Sequence, residues 1–221
     1  LISDTPSQPM FPPGIGIHPE YNDIWIVLQG EYEWLIGDYP AISASKGDIV
    51  FCTAGTSHSI RAVSEPATRL AIYKAPRITE KGNHRTGRDK LPTQTKPPNL
   101  LITKHADLLN LSKLQRKHTI ISDERNNVFL IREQPGTVSK AHWHFDFDEW
   151  WYIPMGKLDF EVGKNRPSLN ALADDIVFLP RGFRHQITTI GDKPSLRMPV
   201  TNLEGGHIWT DDDANSPPPL E

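Results

Sequence analysis

Hydrophobic and polar positions alternate along short stretches of this chain, which is the pattern of half-buried β-strands. In residues 157–163, which read Lys-Leu-Asp-Phe-Glu-Val-Gly, apolar and charged side chains take turns. The β-branched and aromatic run at 175–179 ends at Pro180, and the run at 128–132 is soon followed by a Pro-Gly pair. Many short strands separated by such turns predict an all-β protein with a barrel or sandwich fold.

The pattern occurs twice, so the sequence contains an internal repeat. Residues 23–37 match residues 149–163 at an offset of 126 (149 − 23), and later matches lie at offsets of 127 and 128. Slips of one residue between matched blocks are what loop insertions between strands would produce. A period of this length predicts a duplicated domain rather than a solenoid.

The repeat divides the chain into four regions. We predict a shortened first barrel over 1–75, a basic connector over 76–118, a second barrel over 119–210 and a disordered tail over 211–221. The connector is expected to be a solvated linker or an arm packed over a domain, since no stacking aromatic supports a phosphate-binding role. The offset places the counterpart of Thr119 before residue 1. The first barrel is therefore expected to lack its opening strands, to be completed by another segment, or to be trimmed.

Four residues of the second copy carry side chains that bind transition metals. His142 and His144 lie two residues apart, so both point to the same face of a strand. Glu149 follows a short loop, and His185 comes just after the turn at 180–182. Three imidazoles and a carboxylate that converge inside a barrel would form a metal site, with room for about two more ligands on an octahedral ion.

This spacing resembles the two motifs of the cupin superfamily. Residues 136–156 fit the first motif at every fixed position: Gly, five residues, His-x-His, three or four residues, Glu, six residues and Gly. The Pro-x-Gly of 180–182 and His185 fit the second motif, in which Asp174 replaces a Gly and Thr189 replaces an Asn. With the repeat counted, nearly the whole chain resembles a bicupin.

The resemblance implies an all-β fold of two tandem cupin barrels, each a double-stranded β-helix or jelly roll, joined by the basic connector. It also implies which residues of the second barrel are the metal ligands, namely His142, His144, Glu149 and His185. The cofactor would be one divalent transition metal, and this ligand set does not choose among Fe, Mn, Ni, Cu and Zn.

The first copy has lost part of this set. His18, Asp23 and His58 align with ligands of the second copy, whereas Gly16 takes the place of His142. In one interpretation this barrel has lost its metal and serves packing or assembly. In the other, the three remaining residues form a two-His-one-carboxylate site, a ligand set known for non-haem iron. The shorter carboxylate of Asp23 argues against an unchanged geometry.

Other side chains have weaker assignments. Trp151 and Phe160 share the predicted inward parity of the ligand carboxylate, so they line an apolar substrate pocket or belong to the core. Arg69 and Arg197 recur in both copies, which we attribute to a structural role on a strand. His207 has no partner motif and receives no role. No acid or base stands out beyond the ligands, so the catalytic residues are not assigned.

Composition excludes several classes of protein. Lys and Arg number 24 and Asp and Glu 27, and this formal charge of −3 gives no basic surface for nucleic acid. No apolar run approaches the roughly 18 residues of a membrane helix, and the first residues do not resemble a signal peptide. Cys52 is the only cysteine, which fits a cytoplasmic location. We therefore expect a small-molecule substrate, no nucleic acid or membrane partner, and a monomer or homodimer.

A metal with open positions can activate dioxygen, polarise a substrate carbonyl or carboxylate, or generate hydroxide. Of these, we expect the first, an oxygenase of the dioxygenase type that acts on a small oxo, hydroxy or carboxylate compound. Two alternatives stay open. One is a non-redox, metal-dependent isomerase, lyase or decarboxylase, and the other is a small-molecule-binding cupin without turnover.

Overall fold

Twenty short strands and one helix make up the part of the chain that the structure describes. A computed structural model describes residues 2–4, 15–72, 80–82, 96–163, 167–201 and 206–209. It divides into two units, Leu1–Leu109 and Asn110–Glu221. The sheets are antiparallel throughout, so the predicted all-β class is confirmed. None of the described residues forms a helix with the length and hydrophobicity that crossing a membrane would require.

The described strands of the first unit form two five-stranded sheets. They are β1 (Ile2–Asp4), β2 (Ile15–Ile17), β3 (Asp23–Gln29), β4 (Glu31–Ile36), β5 (Ile42–Ser45), β6 (Ile49–Cys52), β7 (His58–Ala62), β8 (Ala67–Ile72), β9 (Glu80–Gly82) and β10 (Ile102–Thr103). One sheet has the order β1-β8-β3-β6-β10, and the other has the order β5-β4-β7-β2-β9.

The second unit repeats this arrangement after helix α1 (His105–Leu114), which begins in the first unit and ends in the second. Its strands are β11 (Lys117–Ser122), β12 (Asn127–Glu133), β13 (His142–Trp143), β14 (Glu149–Met155), β15 (Lys157–Val162), β16 (Leu169–Leu172), β17 (Ile176–Leu179), β18 (His185–Ile190), β19 (Ser195–Thr201) and β20 (Ile208–Trp209). Their sheet orders are β11-β12-β19-β14-β17 and β16-β15-β18-β13-β20.

The strand registers of the two units are equivalent at the positions that matter for the site. In the first unit Gly16 of β2 pairs with His58 of β7. In the second unit His142 of β13 pairs with His185 of β18. The backbone therefore places Gly16 where the second unit has His142, as the sequence alignment of the two copies predicts.

The two units complete their first sheets with different segments. In the second unit β11 lies beside β12 at one edge, whereas in the first unit β10 pairs with β6 at the opposite edge. Both β9 and β10 come from the region predicted as a connector, and each adds an edge strand to one sheet of the first unit. Residues 73–79 and 83–95 of that region lie outside the described residues, as does the predicted tail.

The core of the second unit lies between its two sheets. Trp151 and Ile153 of β14 pack with Leu158 and Phe160 of β15, and all four are at most 4% exposed. These are alternate positions on each strand, so the period-2 pattern in the sequence corresponds to one inward face. The same inward face of β14 begins with Glu149, and the core thereby fixes the direction of that carboxylate.

A left-handed turn precedes β6 in the first unit and β17 in the second. Gly47 occupies it with φ 86°, and a Cβ there would lie 2.4 Å from Nδ1 of His105. Asp174 occupies the equivalent turn with φ 75°, which aspartate adopts more readily than most residues. Its Oδ1 also accepts a hydrogen bond from the Tyr152 hydroxyl at 3.2 Å. The Asp at this motif position therefore alters a turn and leaves the ligand strands unchanged.

Candidate metal centre

The structure brings the four predicted ligands of the second unit together. The ligand atoms of His142, His144, Glu149 and His185 all lie within 4.8 Å of one another, and all four residues are buried. Nε2 of His185 is 3.1 Å from Nε2 of His142 and 3.5 Å from Oε2 of Glu149. The same Glu149 oxygen is 3.6 Å from Nε2 of His144. The inward ends of β13, β14 and β18 thus converge on one point.

Backbone carbonyls orient the three imidazoles. Each Nδ1 donates a hydrogen bond to a carbonyl oxygen at 2.9 to 3.1 Å: His142 to Lys140, His144 to Gly206 and His185 to Phe183. A carbonyl only accepts, so the ring proton is on Nδ1 and each Nε2 keeps its lone pair. This arrangement is the usual support for a metal-binding histidine, because it fixes both the tautomer and the ring orientation.

The donor atoms of this cluster fit a divalent transition metal. Nε2 of His144 and Oε2 of Glu149 are buried without a hydrogen-bond partner among the described residues. The lone pairs of His142 and His185 face each other at 3.1 Å. Buried polar atoms are almost always paired, and converging lone pairs repel unless a cation lies between them. Imidazole with one carboxylate is a donor set suited to Fe, Mn, Ni, Cu or Zn.

Burial also holds these histidines in the neutral form that a metal ligand requires. Loss of solvation, reinforced by the neighbouring His185, lowers the pKa of His142 to about 2. Burial likewise lowers the pKa of His185, although the Glu149 carboxylate opposes the shift. Both rings are therefore neutral near pH 7, with their lone pairs available.

The segment 206–209 covers the cluster, and the sequence analysis missed it. β20 pairs with β13 in a register that sets Trp209 opposite His142. The ring of His207 lies 4.6 Å from that of His142 and 4.7 Å from that of His144, between ring centroids, and stacks on Trp209. His207 and Trp209 are two residues apart in the sequence, so on a strand both lie on one face. No motif indicated that this face contacts the ligands.

The two predicted pocket residues lie in the core of the second unit. Phe160 is completely buried, and Trp151 is 4% exposed and 6.0 Å from Phe160 between ring centroids. Trp151 lies two residues from Glu149 on β14, so both side chains are on the same face. A pocket-lining role for these residues stays a prediction, and the position of Trp151 next to the ligands favours it over Phe160.

The structure also brings together the three candidate ligands of the first unit. Atoms of His18, Asp23 and His58 lie within 4.8 Å of one another. Nδ1 of His18 is 2.7 Å from both carboxylate oxygens of Asp23, and Nδ1 of His58 is 3.7 Å from one of them. The ring of Tyr21 stacks on His18 at 4.8 Å. This cluster therefore contains a short histidine–carboxylate hydrogen bond where the second unit has converging Nε2 atoms.

Cys52 lies beside this first cluster. Its backbone pairs with Asp23, at the position where Leu179 pairs with Glu149 in the second unit. Its Sγ is 3.9 Å from Nδ1 of His58. Burial, together with the nearby Asp23 carboxylate, raises the pKa of the Cys52 thiol well above its usual range. The thiol is therefore protonated at neutral pH.

Comparison with known proteins gives a weak match in sequence. No protein-family model matches the chain. A stretch of 75 residues is 31% identical to oxalate decarboxylase from Bacillus subtilis strain 168. The match covers 32% of this chain but 19% of the relative, so it spans less than a fifth of that enzyme's length.

Solved structures give a broader match. A single-residue variant of Bacillus subtilis oxalate decarboxylase superposes with a TM-score of 0.53 at 17% identity, covering 89% of this chain and 67% of that one. The structure of the same enzyme at pH 4.6 gives a TM-score of 0.52 at 17% identity and covers 89% and 66%. At such low identity these similarities establish the fold that the two chains share.

Proposed function

We propose that the chain is a member of the cupin superfamily, as its motifs predict, and that it is a metal-dependent decarboxylase acting on a small carboxylate compound. The observation that carries this proposal is the four-ligand cluster of the second unit, with its buried, unpartnered donor atoms. The likeness to oxalate decarboxylase favours this lyase chemistry over the dioxygenase that the sequence analysis favoured.

The chain's own residues would hold the metal and leave part of it accessible. His142, His144, Glu149 and His185 would supply four ligands, and an ion that takes six would have about two positions left for substrate oxygens. A bound divalent ion supplies a Lewis acid that stabilises negative charge on the substrate. In the first unit, the His18–Asp23 hydrogen bond supports the interpretation that this barrel serves packing rather than metal binding.

The proposed reaction balances without an oxidant. The bond between the carboxyl carbon and its neighbour breaks, and its electron pair stays on the neighbouring carbon. Carbon dioxide leaves, and the remaining fragment takes up one proton from solvent. Buried aromatic side chains next to the ligands would limit the access of water, among them Trp151 and Phe147, whose ring lies 4.3 Å from that of His144.

The test measures gas exchange by the metal-loaded protein. The chain is loaded separately with Mn²⁺, Fe²⁺ and Zn²⁺ and given oxalate, malonate, oxaloacetate or pyruvate, while carbon dioxide and dioxygen are both followed. We expect carbon dioxide release without stoichiometric consumption of dioxygen. Glu149→Gln should lower the rate by at least about 100-fold, because the metal contributes several kcal/mol of transition-state stabilisation. Glu161→Gln, which changes an exposed carboxylate of the same unit, is the matched control.

Two results would contradict the proposal. Consumption of one dioxygen for each substrate would restore the dioxygenase interpretation. A stoichiometric metal with no turnover of any acid in a broad panel would instead indicate a protein that binds small molecules.

A further inference from the structure

A buried arginine lies on the inner face of the second unit. Arg197 of β19 pairs with Ile131 of β12, which in turn pairs with Lys117 of β11. Two residues along β19, Pro199 pairs with Trp151 of β14. Cross-strand partners share a face, and so do alternate residues on a strand. Arg197 therefore faces the same interior as Trp151 and the ligand carboxylate.

The guanidinium of Arg197 is only partly paired. The residue is 4% exposed, and its buried Nε has no hydrogen-bond partner in the described part of the chain. Its Nη2 is 3.6 Å from Oε1 of Glu133, which is beyond hydrogen-bond range. That same oxygen already accepts a hydrogen bond from Nε of Arg116 at 2.7 Å. Glu133 therefore balances the charge only in part.

Arg197 also contacts Trp151. Its Cζ lies 5.2 Å from the ring centroid of Trp151, a cation–π contact. Such a contact gives no hydrogen-bond acceptor to the N–H donors of the guanidinium. Nε is buried and has no hydrogen-bond partner among the described residues. Burial accordingly lowers the pKa of Arg197 to about 10. A buried donor without a partner is costly, so a ligand that accepts hydrogen bonds here would be bound strongly.

We propose that Arg197 binds a carboxylate of the substrate, so that the substrate lies between this guanidinium and the four-ligand cluster. A carboxylate supplies two acceptor oxygens in one plane, which matches the fork of an arginine. The recurrence of arginine at this position, attributed above to a structural role, then has a binding role in the second unit. This inference rests on the proposed function, since it identifies the class of acid on which the metal centre acts.

The proposal requires an acid with two polar ends. One carboxylate would lie at the four-ligand cluster and the other at Arg197, where it would match the guanidinium fork. A monocarboxylate would reach one end only. The class of acid is therefore a dicarboxylate or an oxo acid.

Lys117 lies at the solvent-exposed end of the cross-strand row Lys117, Ile131, Arg197. It is exposed, and its Nζ lies 3.7 Å from the centroid of the Phe129 ring. Partial burial and the neighbouring Arg116 lower the pKa of Lys117. The row Lys117, Ile131, Arg197 thus runs from a solvent-exposed cation to a buried one, which is the charge pattern that attracts an anion inward.

The test is calorimetric titration of the Mn²⁺-loaded protein with acetate, oxalate, malonate, succinate and glutarate. We expect at least one dicarboxylate to bind more tightly than acetate. Arg197→Met should weaken binding of that dicarboxylate by about 10- to 100-fold, because hydrogen bonds to charged groups are strong. It should change acetate binding less than about threefold, because acetate would contact the metal end alone. Arg197→Lys, which keeps the charge but loses the fork, should be intermediate. Arg132→Met, on the opposite face of β12, is the matched control.

Metal content and circular dichroism are measured for every variant, so that loss of folding is recognised. If Arg197→Met does not fold, the binding comparison is made with Arg197→Lys. Equal weakening for acetate and the dicarboxylate, or no weakening at all in folded, metal-loaded Arg197→Met, would overturn the inference. Neither result affects the proposed decarboxylation, which is judged by carbon dioxide release and by the Glu149→Gln variant.

Discussion

The two units place ligand-type side chains at equivalent positions on equivalent strands, yet they orient them differently. In the second unit every imidazole directs Nδ1 to a backbone carbonyl and Nε2 to the common centre. In the first unit Nδ1 of His18 is bonded to Asp23 itself. One missing imidazole, at Gly16, and one methylene fewer in the carboxylate accompany this change.

The comparison shows that a list of ligand residues is not sufficient for a metal site. The Asp23 carboxylate is bonded to Nδ1 of His18, so a metal that used this carboxylate would have to replace that hydrogen bond. In the second unit, Oε2 of Glu149 is buried without a hydrogen-bond partner among the described residues. The orientation of the imidazoles by their other nitrogen therefore separates the second cluster from the first.

The largest expected difference is in metal content. Purified, reconstituted protein should contain one equivalent of transition metal per chain, measured by elemental analysis. His142→Ala or Glu149→Ala should remove nearly all of it, because each deletes one of four ligands. The bound metal should also stabilise the folded state, by about 2.7 kcal/mol at a free concentration 100 times its dissociation constant. That increment should disappear in both variants.

The matched controls are in the first unit. His18→Ala and Asp23→Ala should leave the metal content at one equivalent, although each loses a buried hydrogen bond. Two equivalents in the wild type, with one lost in Asp23→Ala, would show that the first cluster is also a metal site.

A smaller effect is expected from rebuilding the first cluster. A Cβ at Gly16 would meet Nε2 of His58 at 3.4 Å, a distance at which only a small shift is needed. Gly16→His combined with Asp23→Glu restores the four residue types of the second unit. We expect this double variant to bind up to one additional equivalent of metal. Asp23→Glu alone, which still lacks the fourth ligand, should bind less. No gain in the double variant would mean that features outside the ligand set distinguish the two units.

Sequence reasoning was most successful where spacing determines geometry. The His-x-His pair, the Glu after a short loop and the His after a Pro-x-Gly turn predicted the four residues that converge in the second unit. The period-2 pattern likewise predicted the inward face of β14 and β15. Strands of two or three residues such as β10 and β20 were not predictable, because they are too short to show a period.

The site residues that were not predicted were missed for the same reason, because their strands are too short to show a period. His207 reaches the metal cluster because β20 pairs with β13, and a long-range pairing of two residues leaves no local signal. The environment of Arg197 was equally inaccessible. Arg197 is buried beside the Glu133 carboxylate, which is already bonded to Arg116. This arrangement exists only because three strands pair in register. The face of a strand on which a side chain lies can be predicted from the local sequence. The number of hydrogen-bond partners available to that side chain depends on the whole sheet.

The smallest expected effect concerns Cys52, which stands where the second unit has Leu179. Burial and the Asp23 carboxylate raise the folded-state pKa of this thiol above the value of about 8.5 in the unfolded chain. A raised folded pKa means that the contribution to stability is complete below pH 8.5 and is lost as the pH rises towards the folded value. By proton linkage, the free energy of unfolding should fall by up to about 1.6 kcal/mol more between pH 8.5 and 10 in the wild type than in Cys52→Ala.

Denaturant unfolding of the two proteins at both pH values measures this difference, and it bears directly on the comparison of the two clusters. A cation bound by His18, Asp23 and His58 would offset the charge of Asp23 and favour the Cys52 thiolate. The pH-dependent difference would then shrink when metal is added. If the first cluster holds no metal, the difference should be the same with added metal and with a chelator. A difference that changes with metal, while the elemental analysis of Asp23→Ala also changes, would assign the first unit a metal of its own.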